Sequence, residues 1–235
     1  MTRKVRGVDA ACCDDHDHNV VDPRRQFIVD ARRAADDALL SNKRARDDIV
    51  DDIRAQLADV RRSGTAIAAL LDVVRNALFG ELTTSSSSSS SSSTSTSSTS
   101  ITPSNVMELV CYGVGSIAHS SKARTQVAVA LYLRESLDER IVVDARSPTP
   151  LRLYDPLLSR AESALLHDAF DVDVLDANDE ARRRVALPTL FFMPHCPRGL
   201  YHNALRANAS QLERVALLGN AFSNYALMRQ SSTVR

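Results

Sequence analysis

Four short stretches of this chain carry residue types that bind ligands or move protons. Gly113-Val114-Gly115-Ser116 follows an apolar run, Asp155 closes "LRLYDP", Pro194-His195-Cys196-Pro197 ends "TLFFMP", and Gly219-Asn220 ends "LERVALLGN". Paired glycines after a strand let backbone N–H groups approach an anion at a helix N-terminus, although they also serve as plain steric relief. An acid closing the second strand of a nucleotide-binding sheet holds a ribose hydroxyl, but Asp before Pro is equally an ordinary turn. Two prolines stop a strand ladder and stiffen a turn that would present His195 and Cys196. Those two are adjacent, so their side chains diverge and they do not form a nucleophile–base pair with each other.

Several chemistries are absent from the pattern. Gly113-x-Gly115 lacks the third glycine of a dinucleotide fingerprint, and Gly115 and Asp155 are about twice as far apart as the usual roughly twenty residues. The stretch "DERIVVDARSPTP" accounts for the excess as an insertion. Ser116 is not in a G-x-S-x-G elbow, and no Walker A, H-E-x-x-H or EF-hand pattern occurs. His119 is the one imidazole able to reach across from the first turn. His167 and His202 lie in helical patterns as surface or core groups, and Cys111 sits inside a strand as an inert thiol. Cys12, Cys13, His16 and His18 crowd one polar stretch, where the expectation is adventitious metal affinity or none.

These turns need strands and helices to place them. From residue 105 onward, strand and helix patterns alternate: "VMELVCYGVGS", "LRLYDP", "VDVLDA", "ALPTLFFMP" and "LERVALLGN" read as strands. Between them, "SSKARTQVAVALYLRESL" carries Ala123, Val127, Ala130, Leu131 and Leu137 near one helical face, with Ser120 or Ser121 as N-cap; "SRAESALLHDAF" and "GLYHNALRANA" are further helices. Strands spaced by helices predict an α/β, Rossmann-like three-layer domain with a mostly parallel five-stranded sheet. In strand order 3-2-1-4-5, the glycine turn would face the His-Cys turn across the crevice where ligands bind. Gly113, Ser116, Asp155, His195 and Cys196 are then expected to converge on one concave face.

Upstream lies a different composition. Residues 24–82 read as helix: Ile49, Ile53, Leu57 and Val60 recur at helical spacing, as do Ile67, Leu70, Leu71, Val74 and Leu78, with Gly64 between the two series. Residues 1–23 read as a polar, disordered tail. Residues 83–104 contain an unbroken Ser/Thr run, read as a flexible linker that shares no core with its neighbours. The helical segment reads as an appendage packing on the main domain, the alternative being a partner-binding helical hairpin. The assignment is therefore tail 1–23, helical segment 24–82, linker 83–104 and Rossmann-like domain 105–230, with the chain after residue 100 expected to fold alone.

The bulk numbers exclude some roles. Lys+Arg and Asp+Glu both number 29, giving net charge zero, whereas a nucleic-acid binder normally carries a basic excess. No apolar run approaches 18 residues and no apolar h-region follows the start, so neither a membrane span nor a secretory leader is expected. The spacing of the four cysteines fits neither a disulfide framework nor a paired zinc motif, which points to reduced thiols in the cytoplasm or nucleus.

Taken in order, "LVCYGVGSIAHSSKARTQVAVAL", "LYDPLLSRAESALL", "TLFFMPHCPRGLYHNAL" and "LLGNAFSNY" resemble the SRR1-like family, over residues 106–227. The resemblance implies a regulatory protein. Plant members are associated with circadian timing and phytochrome signalling, animal members with clock-gene expression and haem biosynthesis, and a yeast member with microtubule-related processes. It implies no settled reaction or cofactor. Its motif positions in this chain are Gly113, Gly115, Ser116, Asp155, His195, Cys196 and Asn220.

Three readings follow. The first is a regulator acting through protein partners and a small ligand at the strand carboxyl ends, without catalysis. The second is a cofactor-binding or degenerate methyltransferase-like enzyme, for which S-adenosylmethionine is the first ligand to try. The third is a haem-responsive binder, because Cys196-Pro197 is the dipeptide of haem-regulatory motifs and a thiolate ligates iron. The first requires the fewest unseen groups.

Overall fold

A computed structural model describes residues 23–79, 107–140, 148–223 and 225. The expected tail, the Ser/Thr linker, most of the 138–150 insertion and the last residues of the assigned domain lie outside the described residues.

The aliphatic runs become strands because both their faces find cover. β1 (Glu108–Tyr112) and β4 (Thr189–Met193) are buried at every position. β2 (Leu151–Tyr154) and β3 (Asp173–Val174) flank one side, and β5 (Val215–Gly219) the other. All pairings are parallel and the order is β3-β2-β1-β4-β5, the order in which the first and fourth strands are neighbours. β3 is only two residues long, and Leu212–Arg214, expected as strand, form a 3₁₀ turn before β5.

Strand alternation splits the core into two layers. Leu109, Cys111, Leu153, Leu190 and Phe192 face α4 (Ser121–Arg140) and α5 (Arg160–Phe170). Val110, Tyr112, Phe191 and Met193 face α6 (Arg198–Ala207) through Tyr201 and Ala204. The face of α4 that packs inward is the predicted one, Ala123, Val127, Ala130, Leu131 and Leu137. Ser120 caps α4, accepting from the Ala123 amide at 3.2 Å.

Three helices precede the sheet: α1 (Pro23–Leu39), α2 (Lys43–Ser63) and α3 (Thr65–Phe79). Asn42 caps α2, accepting from the Arg44 amide at 2.9 Å. Gly64 separates α2 from α3 as expected. A Cβ there would lie 2.5 Å from the Tyr132 hydroxyl oxygen, so glycine is what lets α4 come this close.

The three helices pack directly on the sheet domain. Ile49, Ile53 and Leu57 of α2 and Leu71 of α3 enter the same buried cluster as the sheet, and Ile53 and Leu71 are fully buried. Arg61 grips Glu135 of α4 with two bonds of 3.0 and 2.6 Å, and Arg124 of α4 pairs with Asp52. The chain on either side of the Ser/Thr run therefore shares one core. Leu70, which spacing placed with Leu71, is partly exposed. Among the described residues no helix is long and apolar enough to cross a membrane.

Candidate functional site

The first strand ends in two left-handed glycines, Gly113 at φ 77° and Gly115 at φ 85°. That backbone region penalises any Cβ, so the turn is written for glycine. It is flanked by the turn after β4 on one side and by Asp155 on the other.

The β4 side is closed. Cys196 Sγ sits 3.3 Å from the Tyr112 carbonyl oxygen and donates to it. A Cβ on Gly113 would lie 2.8 Å from that sulfur, so the glycine and the cysteine occupy adjoining space as the strand order predicts. The prolines present only one of the two candidate groups. His195 is exposed at φ 60°, while Cys196 is 2% exposed. Burial, and after it the charge of Asp155, pushes the Cys196 thiol up to about 12, so it stays protonated and is a poor thiolate for iron. Asn220 belongs to this closure. Its Oδ1 accepts the His195 amide at 3.3 Å and its Nδ2 donates to the Tyr225 hydroxyl at 2.8 Å. The Tyr225 hydroxyl donates to the Cys196 carbonyl at 2.5 Å, and Tyr201 donates to the Met193 carbonyl.

The β2 side is polar. Asp155 is held by two backbone donors, Gly115 N–H to Oδ2 at 2.7 Å and Leu157 N–H to Oδ1 at 2.8 Å. Desolvation raises its pKa, opposed by those two N–H groups and by the guanidinium charges of Arg33 and Arg32. The Gly113 N–H donates to the Tyr154 carbonyl at 3.3 Å. Both glycine amides of the turn are thus engaged within the protein.

Ser116 leaves the expected group. Its hydroxyl donates to Glu162 Oε1 at 2.8 Å and lies 3.3 Å from Asp36 Oδ2, and all three residues are buried. Glu162 is satisfied three further ways: Oε1 accepts the Ala118 amide at 2.9 Å, Oε2 accepts the Ser159 amide at 2.7 Å, and its own amide donates to Ser159 Oγ at 3.2 Å. His119 Nε2 stands 2.6 Å from Asp36 Oδ1, off the line that a ring N–H bond requires. His119 therefore turns to α1 rather than across to His195.

The sequence-predicted residues meet pairwise along the strand carboxyl ends, with Asp155 close enough to Cys196 for its charge to act on the thiol. Gly113 meets Cys196, Gly115 meets Asp155, and His195 meets Asn220, whereas Ser116 faces α1 and α5. His167 and His202 are exposed on their helices. Two residues were missed. Glu162 was legible as the fourth residue of Ser159-Arg160-Ala161-Glu162, a capping-box pattern that the structure realises in full. Asp36 had no local signal, because only the packing of α1 against α5 brings it to Ser116.

Beyond Asp155 opens a cleft of about 830 Å³ walled by α1, the ends of β2 and β3, and the start of α5. Arg33, Asp37, Tyr154, Asp155, Ser159 and Asp176 contribute polar groups to it. Asp37 fixes the wall by accepting the Ala161 amide at 2.8 Å. Among the described residues, no group of three or more His, Cys, Asp or Glu side chains is arranged to hold a metal ion.

Comparison with known proteins gives this geometry a family. The SRR1 domain model matches residues 84–234, more than half of the chain. The chain is 39% identical over 121 residues to Protein SENSITIVITY TO RED LIGHT REDUCED 1 of Arabidopsis thaliana, covering 51% of this chain and 41% of that protein. It is 38% identical over 119 residues to the SRR1-like protein of Mus musculus, covering 49% of this chain and 45% of the mouse protein. The SRR1-like protein of Drosophila melanogaster is 27% identical over 118 residues, covering 48% of this chain and 38% of the fly protein. The matches thus span less than half the length of each relative. No solved structure matches the chain.

Proposed function

Since the chain belongs to the SRR1 domain family, we propose that it is a regulatory protein of the SRR1-like type, binding a small ligand at the strand carboxyl ends and passing its occupancy to protein partners. The observation that carries this reading is Asp155: a carboxylate at the end of β2, oriented by two backbone N–H groups and opening on a cleft. An acid at the end of the second strand of an open parallel sheet holds ligand hydroxyls, beside the switch point that here lies between β1 and β4. The Arabidopsis relative's name ties it to red-light sensitivity, which makes signalling the output to test first.

Regulation fits the side chains better than group transfer does. Ser116 is bonded to a carboxylate away from the cleft and Cys196 is a protonated, buried thiol, so neither is an activated nucleophile. α1 suits a relay: it walls the cleft through Arg33 and Asp37, while Phe27 and Ile28 near its start are 74% and 66% exposed. The test is complementation of cells lacking their own SRR1-domain protein, with wild type and Asp155→Asn at equal abundance. Wild type should restore the response and Asp155→Asn should fail. Full rescue by the variant would overturn the reading.

A further inference from the structure

The cleft beside Asp155 has features that narrow what could enter it, and this step rests on the ligand-binding reading above. Its volume of about 830 Å³ falls in the range of small-molecule sites, about 300–1,000 Å³. Nucleotide-binding turns hold phosphates with free backbone N–H groups. Here the Gly113 amide is bonded to Tyr154 and the Gly115 amide to Asp155. Those two glycine donors are not available to a phosphate.

The charge of the walls points the same way. Asp30, Asp37, Asp155 and Asp176 face the cleft against Arg33 and Arg160, four carboxylates to two guanidiniums. A phosphate brought here would meet a net negative wall, whereas a neutral or cationic molecule would not. Asp155 is already oriented, and each of its oxygens accepts one backbone N–H, leaving lone pairs for hydroxyl donors. Leu158, Val174 and Leu175 supply an apolar patch beside it.

We propose that this cleft binds a nucleoside lacking phosphate groups, uncharged or carrying a cation, with its ribose hydroxyls on Asp155 and its base against Leu158, Val174 and Leu175. The α1 helix is then part of the site, although it lies outside the family-model match.

Isothermal titration of the full chain with four probes, adenosine, S-adenosylmethionine, ATP and NAD, tests this. Adenosine or S-adenosylmethionine should bind, with ATP and NAD at least tenfold weaker. Asp155→Asn should weaken binding at least tenfold. Ala34→Trp, on the exposed cleft-facing side of α1, should block it while leaving the melting curve intact, so a folding defect in the first variant does not decide the matter. ATP or NAD binding as tightly as adenosine, with the same sensitivity to Ala34→Trp, would overturn the nucleoside class yet leave the ligand reading standing. Binding untouched by Ala34→Trp would place the ligand elsewhere. If no probe binds and the native mass spectrum of purified protein shows no retained small molecule, both readings fail.

Discussion

The two flanks of β1 end in the same glycine turn and yet differ in kind. Toward β4, the space above Gly113 is filled by a buried thiol, and Asn220, Tyr201 and Tyr225 tie the turn to the start of α6. Toward β2, a carboxylate faces a cleft whose outer wall comes from a helix more than a hundred residues away in the chain. The contrast shows that the switch point, which lies between β1 and β4, only makes a crevice available. Which flank stays open depends on side-chain volume, here the sulfur of Cys196, and on what packs outside the sheet.

The largest effect should come from the support of the open flank. Ile53→Ala empties a fully buried position where α2 meets the sheet domain, and should cost about 2–5 kcal/mol in chemical denaturation. A cost near zero would show the helices to be a loose appendage, and the two flanks would then differ less than described. The companion experiment removes residues 1–100. The fragment should lose cooperative thermal unfolding, because Leu131 and Leu137 of α4 lose the cover of α2 and α3.

On the closed flank, Gly113→Ala puts a Cβ at positive φ and 2.8 Å from Cys196 Sγ. It should destabilise by about 1–3 kcal/mol, a backbone-strain effect with a clash added. The double variant Gly113→Ala/Cys196→Ala should recover part of that loss, since the clash but not the strain is relieved. A double variant no more stable than the single one would break the account of Cys196 as the plug.

Asp155 gives the open flank a pH signature. Its pKa is raised in the folded state, so between the ordinary aspartate value and the raised one the native state binds more protons than the unfolded chain. Stability from this group is thus greatest at low pH and falls as pH rises through that window. Asp155→Asn should flatten the decline there in pH-dependent urea titrations. An unchanged slope would mean that burial of this carboxylate is not what the pH dependence reports.

The smallest effect is a kinetic one. With Cys196 and Cys111 buried and both thiols held protonated, iodoacetamide at neutral pH should label neither in the native protein, and both after unfolding, by peptide mass mapping. Rapid native labelling of Cys196 would mean that the closed flank opens.

Much of the framework was legible in the residues. Short, largely apolar runs such as "ELVCY" and "TLFFM" suit strands covered on both faces, and helices spaced between them imply the parallel crossover topology that is observed. The turn residues announced themselves too, because Gly113 and Gly115 occupy backbone space that other residues avoid. Legibility ended where contacts became non-local. The Ser/Thr run suggested two independent parts, since composition reports what a segment can bury by itself and not what its neighbours bury across it.

What the sequence by itself determined, then, is the parallel sheet, the inward face of α4 and the location of the turns that end its strands, all consequences of periodicity and backbone chemistry within a few residues. Only the tertiary structure decided that Cys196 would be plugged against Tyr112, that Ser116 would turn to Glu162 and Asp36, and that α1 would wall the cleft beside Asp155. The physical reason is range. A side chain's rotamer, charge state and exposure are set by atoms from distant elements that pack around it. For Asp36 and Ser116 those elements lie 80 residues apart, where no spacing rule reaches.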